Sequence, residues 1–285
     1  FLHTGNLNVP ENIRTIIDTL FVKNAKLPLD ELNLRYRHYM KSEKYKGEIH
    51  FSTGTNTARS SSNFYALNNT IATLFEIRGV GIAKTSFKRR IKSSLAVGLS
   101  YLKTAYENSN FIFDQIEIAN NYSNDIVLEH KRTISNEVIK AIDIESNELI
   151  DFTTTMHSSK KSIATLLRDR PIAYIIKKNN YGFIEKLNDV GVNYVEFEKD
   201  TVIYSGSYKV VEYNNNFKVY EKMKMQKVAT SIEYNKNSFS KGDILIGMNQ
   251  KRSNLIAELL EPEAPNSYVS FGIIKTSLNK QLPIY

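Results

Sequence analysis

The feature that most constrains this 285-residue chain is a change in the period of its apolar residues near position 115. Before that point two stretches repeat at helical spacing. "PENIRTIIDTLFVKN" (10–24) sets Ile13, Ile16, Ile17, Leu20 and Phe21 on one face behind a proline suited to a first turn. "KTSFKRRIKSSLAVGLSYLKTAYENS" (84–109) does the same with Phe87, Ile91, Leu95, Leu99, Leu102 and Tyr106, a stripe expected to pack along the sheet through Phe87, Ile91, Leu95 and Leu102 with its basic run turned outward to water. After it, short segments alternate apolar and polar residues, among them "NDIVLEHK", "EVIKAIDI", "TVIYSGSYKVVEY" and "KVYEKMKMQKVATSIEY". Period-two alternation with polar breaks predicts antiparallel β-structure. Within it "PIAYIIKKNNYGFIEKLNDVGVNYVEF" reads as strand, helix, strand, and "NQKRSNLIAELLEPEAPNSY" as a helix stopped by Pro262 and Pro265. The pattern predicts an α/β first part over residues 1–115 and a β-rich α+β region over 116–285.

Composition narrows the function. Hydrophobic residues make up 41% and charged residues 24%, as in globular domains, and no apolar run approaches the roughly 18 residues of a membrane span. "FLHTGNLNVPENIR" lacks the basic lead and long apolar middle of a signal peptide, and the chain begins as if cut from something longer. The net charge of +8 is spread along the chain, which argues against specific nucleic-acid recognition. With no cysteine there are no disulfides, thiolate metal sites or cysteine nucleophile.

Three further stretches lie in the first part. "LNLRYRHYM" (32–40) alternates like a strand, with His38 on its surface, and "STGTNTARSSSN" (52–63) has loop composition. "TIATLFEI" (70–77) is apolar enough to predict a central strand buried on both faces, left sharply through Gly79 and Gly81. That strand ends on Glu76. A carboxylate there is either the structural partner of Arg78 across one turn of pleat or a functional group, since ligand crevices open at the carboxyl ends of such strands.

Local motifs decide little between these two readings. None of the five histidines, His3, His38, His50, His130 and His157, begins a His-x-x-Glu or His-x-x-x-His pair. Adjacent Glu129 and His130 point to opposite sides of a strand. "GVGIAK" lacks the glycine pattern of a phosphate loop, and no Gly-x-Ser-x-Gly elbow is present.

"LFEIRGVG" followed by "FKRRIKSSLAVGLSYL" resembles the end of the catalytic domain in zinc carboxypeptidases of the carboxypeptidase A type, bacterial branch. "NLNVPENIR", the Thr-Ala-Arg loop leading to "NFYALNN", "DRPIAYII" and "LLEPEAPNSY" extend the resemblance over most of the chain. It implies a mixed-sheet catalytic domain whose carboxyl-terminal half is 1–115, followed by an accessory region, 116–285. It also implies a peptide substrate, a periplasmic or secreted location, and a zinc ion whose paired ligands lie upstream of Phe1, so that this chain alone is inactive. Glu76 matches the family's general base. Arg78 would hold that carboxylate or the strand end, while Arg59 or Asn63 would face the substrate's terminal carboxylate. His3 is the one residue left in the chain as a zinc-ligand candidate, and Phe51 lies where the family's active-site tyrosine is expected. A non-catalytic protein that holds a peptide or cell-wall fragment in the same cleft is the alternative.

Overall fold

The computed structural model describes residues 1–77 and 79–285. The sequence behind Pro10 folds as its spacing predicts and then continues further. An α-helix, α1 (Glu11–Ile16), passes through a π-helical stretch (Ile17–Val22) into α2 (Lys23–Glu31), carrying Pro28 inside its last turns. Ile13, Ile16, Ile17, Phe21, Val22, Ala25 and Leu29 are all buried along one face. The π-helical turn holds Asp18, whose carboxylate pairs with Lys160 at 2.6 Å.

The chain divides into two compact units, residues 1–119 with 130–163, and residues 120–129 with 164–285. The first contains the hairpin β1 (Met40–Tyr45) and β2 (Glu48–Thr53), the short helix α3 (Ser61–Ala66), the long helix α4 (Phe87–Glu107) and most of α5 (Ser109–Asn120). β3 (Ile126–Ile142) and β4 (Leu149–Arg168) complete a four-stranded sheet of order β1-β2-β4-β3. β1 and β2 are antiparallel and β2 and β4 parallel, so the sheet is mixed and the fold is of the α/β class, as expected.

Three sequence expectations are corrected here. Residues 32–39 form no strand, which begins only at Met40. The alternation there is a helix exit with Arg35, Tyr36 and Arg37 exposed, and His38 is half-buried with its ring 5.7 Å from that of His3. Residues 70–77 form no central strand either. Their single sheet-like link is an antiparallel bridge of Leu74 to Leu2, and Glu76 is exposed. An apolar run becomes a strand buried on both faces only where other strands flank it, and among the described residues only the 1–4 segment lies alongside. The stripe on α4 is the third correction. Phe87, Ile91, Leu95, Leu99, Leu102 and Tyr106 are exposed, Leu102 by 70%. The packed face is the opposite one, where Val97, Ala96 and Tyr101 meet Ala25, Leu29, Leu34 and Phe75. Tyr101 donates to the Thr73 hydroxyl at 3.0 Å, and burial pushes its phenol up to about 12.

In the second unit the alternating segments form two antiparallel sheets. β5 (Ala173–Ile176), β9 (Ile244–Gly247) and β6 (Val195–Glu196) make one, in the order β5-β9-β6. β7 (Thr201–Tyr220) and β8 (Met223–Phe239) make a long ribbon whose register slips between Val210 and Glu212 and again between Asn214 and Lys218. Helices α6 (Tyr181–Asp189) and α7 (Ser253–Leu260) bury Leu187, Ile256 and Leu260 in a core with Ile126, Leu128, Ile176, Val210 and Ile246. The strand-helix-strand reading of 171–197 and the helix halted before Pro262 are both observed.

Candidate functional site

The segment that carries Glu76 and the side chain of Asn63 both meet one short segment, residues 1–8. Leu2 and Leu74 exchange both backbone hydrogen bonds, at 2.8 and 3.2 Å, and the Thr4 hydroxyl donates to the Ala72 carbonyl at 3.1 Å. The rings of Phe1 and Phe75 lie edge to face at 4.9 Å. This pairing sets Glu76 beside the start of the segment. The Phe1 amine, lowered overall by burial, is partly held up by the Glu76 charge.

From the other side comes the 52–63 loop. Thr4 and Thr55 form a parallel bridge, and Asn56 donates to the Gly5 carbonyl at 2.5 Å while its own carbonyl accepts from the Asn6 side chain at 2.9 Å. Asn63, on α3, closes the arrangement. Its amide oxygen accepts from the backbone N–H groups of Gly5 and Asn6 at 3.0 and 3.2 Å, and its nitrogen donates to the Thr55 and Thr57 carbonyls, both at 2.9 Å. Two donors and two lone pairs are the whole capacity of a primary amide. Asn63 is fully buried and has nothing left to offer a ligand. What it does is fix the loop that carries Arg59, which is exposed. Arg78 lies outside the described residues.

His3 sits on the same segment, only 2% exposed, and neither of its ring nitrogens has a hydrogen-bond partner. Burial, reinforced by the charge of Lys160, pushes its pKa down to about 4, so the imidazole is neutral at pH 7. The close approach explains a glycine. Gly54 has φ +72°, and a Cβ there would stand 2.8 Å from His3 Nε2. A neutral buried imidazole has the right donor chemistry for zinc. Yet among the described residues no three His, Cys, Asp or Glu side chains are grouped to hold an ion, so the residues present do not complete a zinc site.

Two arrangements escaped sequence reasoning. In the second unit, Arg168 donates to Glu261 at 2.6 Å and to both oxygens of Glu263 at 2.8 and 3.1 Å. Tyr174 and Tyr208 donate to Glu261 at 2.5 and 2.9 Å, and the Thr230 N–H and hydroxyl donate to Glu263 at 2.8 and 2.6 Å. Burial pushes the Glu261 carboxyl up against the opposing pull of Arg168 and the two phenols. The cluster ties "DRPIAYII" to "LLEPEAPNSY" and is satisfied throughout, a structural lock rather than a site. In the first unit, His50 and His157 touch across β2 and β4. Their separation in sequence hid them, and only a parallel pairing of the two strands would have pointed to it.

No family model matches the chain. No solved structure matches it either. Curated sequences do. A protein named carboxypeptidase 2 from Trichophyton tonsurans is 28% identical over 290 residues, covering 100% of this chain and 54% of that protein. The Trichophyton equinum protein of the same name gives the same figures. A probable carboxypeptidase 2 from Arthroderma benhamiae is 27% identical over 266 residues, or 92% of this chain and 51% of the relative. The chain thus spans about half the length of the curated relatives it matches. These relatives are fungal and give no support to the bacterial branch expected above. Along its length, this chain is similar to proteins that carry the carboxypeptidase name.

Proposed function

We propose that this chain is the carboxyl-terminal part of a zinc-dependent, carboxypeptidase-like peptide hydrolase, with residues 1–115 belonging to the catalytic domain and 116–285 forming an accessory region. The observation that carries the reading is the similarity, over the whole of this chain and about half of the relatives, to carboxypeptidase 2 proteins. The placement of Glu76 supports it: an exposed carboxylate held next to the 1–8 segment by the Leu2–Leu74 bridge. Glu76 takes a proton from the attacking water as its oxygen bonds to the scissile carbonyl carbon. It returns that proton to the leaving amine as the carbon–nitrogen bond breaks. Arg59, exposed on the loop that Asn63 braces, pairs with the terminal carboxylate of the substrate. Support of the Glu76 carboxylate by Arg78, which lies outside the described residues, rests on the resemblance alone. Zinc is the cofactor the resemblance implies, and its full ligand set would have to draw on residues outside this chain. A secreted setting suits such an enzyme.

The test uses the protein at the full length of its relatives. Glu76→Gln should retain bound zinc while lowering release of carboxyl-terminal amino acids by at least the roughly hundredfold lost with a general base. Unchanged turnover would assign Glu76 to a structural role beside Arg78. One other reading is a protein that binds a peptide or cell-wall fragment without cutting it. Peptide binding without hydrolysis by the unmodified full-length protein would establish that reading instead.

A further inference from the structure

The β1-β2-β4 face of the first unit carries a pair of imidazoles that neither the similarity nor the proposed chemistry uses. In register, Glu43 lies opposite His50, His50 opposite Thr155, and Ser52 opposite His157. Side chains alternate along a strand, so Glu43, Glu48, His50 and His157 project from one face. His50 Nδ1 stands 3.0 Å from His157 Nε2, and His50 Nε2 stands 3.4 Å from a carboxylate oxygen of Glu48. His50 is 8% exposed, Glu48 is open to solvent, and the Tyr45 ring covers His50 at 5.2 Å.

We propose that His50 and His157 form a binding site for a borderline divalent transition-metal ion such as Zn²⁺, with Glu48 as the carboxylate that orients His50. Three features support it. Two nitrogens bound to one tetrahedral zinc at its usual bond length lie about 3.3 Å apart, and this pair is within a few tenths of an ångström of that spacing. The Glu48 contact favours the tautomer with Nε2–H of His50 toward the carboxylate and the Nδ1 lone pair toward His157. A metal-bound histidine whose other ring N–H goes to a carboxylate is the arrangement that raises ligand basicity. Finally, Glu43 and Glu48 place two negative charges on the face where a cation would settle, against the one positive charge of Lys41 opposite Ser52.

Without metal, His157 Nε2–H donates into the His50 Nδ1 lone pair. The ion takes the place of that single shared proton, which moves to His157 Nδ1, so both rings stay neutral and both nitrogens donate to the metal. Water fills the remaining positions, because no third protein ligand joins the group among the described residues. Nitrogen donors select zinc, nickel or copper over magnesium or calcium. The site is separate from the segment holding His3 and Glu76, and it stands whether or not the chain belongs to a peptidase.

The experiment is a titration of the chelator-dialysed 285-residue chain with zinc chloride, followed by nitrogen NMR of its histidine rings. One equivalent should shift His50 Nδ1 and His157 Nε2 and leave His130 unmoved, and magnesium chloride should shift neither. His157→Gln should weaken zinc binding at least tenfold, and Glu48→Gln by about tenfold, the usual cost of losing a supporting carboxylate. Circular dichroism checks that each variant folds, and the wild-type NMR decides the matter should a variant fail to fold. Unshifted His50 and His157 nitrogens at millimolar zinc, shifts confined to other histidines, or undiminished affinity in His157→Gln would each overturn the proposal.

Discussion

Asn63 and His3 show how much of the first unit rests on single buried side chains. Replacing Asn63 with Leu would strand two backbone donors and two backbone acceptors around a fully buried position. A loss of about 2–4 kcal/mol in urea unfolding is expected. His3 gives a pH dependence with a definite sign. In the unfolded chain its imidazole titrates near 6.5, whereas in the folded chain burial lowers it to about 4. Between these values the unfolded state binds more protons, so stability contributed by neutral His3 is complete above the upper value and is lost as pH falls toward the lower one. The folded chain should lose about 2 kcal/mol between pH 7 and pH 5 through this group. His3→Gln, compared by urea denaturation at both pH values, should remove that part of the slope. Gly54→Ala should also destabilise, by about 1–3 kcal/mol, since it combines a left-handed backbone with a contact on the same imidazole.

At the scale of elements, the sequence was a good guide to what forms and a poor guide to what covers it. The helical stretches over 11–24, 87–107 and 253–260 and the strand over 201–213 follow from period, which acts locally, whereas the continuation of the first helix to Glu31 and the ribbon's turn at Glu221 and Lys222 do not. The burial of α4 does not follow, because an apolar stripe records amphipathicity and not the identity of the neighbour. Its Val97–Tyr101 face won the contact with α2 through small and aromatic residues that look unremarkable in the sequence. For 70–77, composition predicted a strand, yet a strand needs flanking partners that no local pattern supplies. For the candidate site the sequence supplied residue types but not their surroundings: Glu76 and Arg59 are exposed and Asn63 is a buried brace, because loop composition does not reveal where an amide's hydrogen bonds go. A direct test contrasts the two faces of α4. Leu102→Gln in this chain should change stability by less than about 0.5 kcal/mol, while Val97→Ala on the packed face should cost about 1–2 kcal/mol.

For the molecule as a whole, each unit has its own buried core and its own polar lock, Asn63 in the first and Arg168 with Glu261 and Glu263 in the second. Arg168→Met would leave Glu261 and Glu263 buried without a countercharge, at a cost of about 3–5 kcal/mol. Combined with Asn63→Leu, its effect should add within about 0.5 kcal/mol, as it does for sites with no common neighbours. A shortfall beyond that in the double variant would reveal a coupling between units that the contacts of each do not contain. The ribbon of β7 and β8 tells the chain how to count. Val210 faces Thr230 and Glu212 faces Ala229, so Val211 has no opposite number. One surplus residue lets Val210 and Tyr213, three positions apart, turn toward the same core. Excising Val211 would therefore leave every pairing on either side intact and forfeit only the local bend. Excising a residue from the regular stretch before it would send one arm's inward side chains out into water. In this ribbon, tolerance to a change in length sits at its two slips, at Val211 and between Asn214 and Lys218.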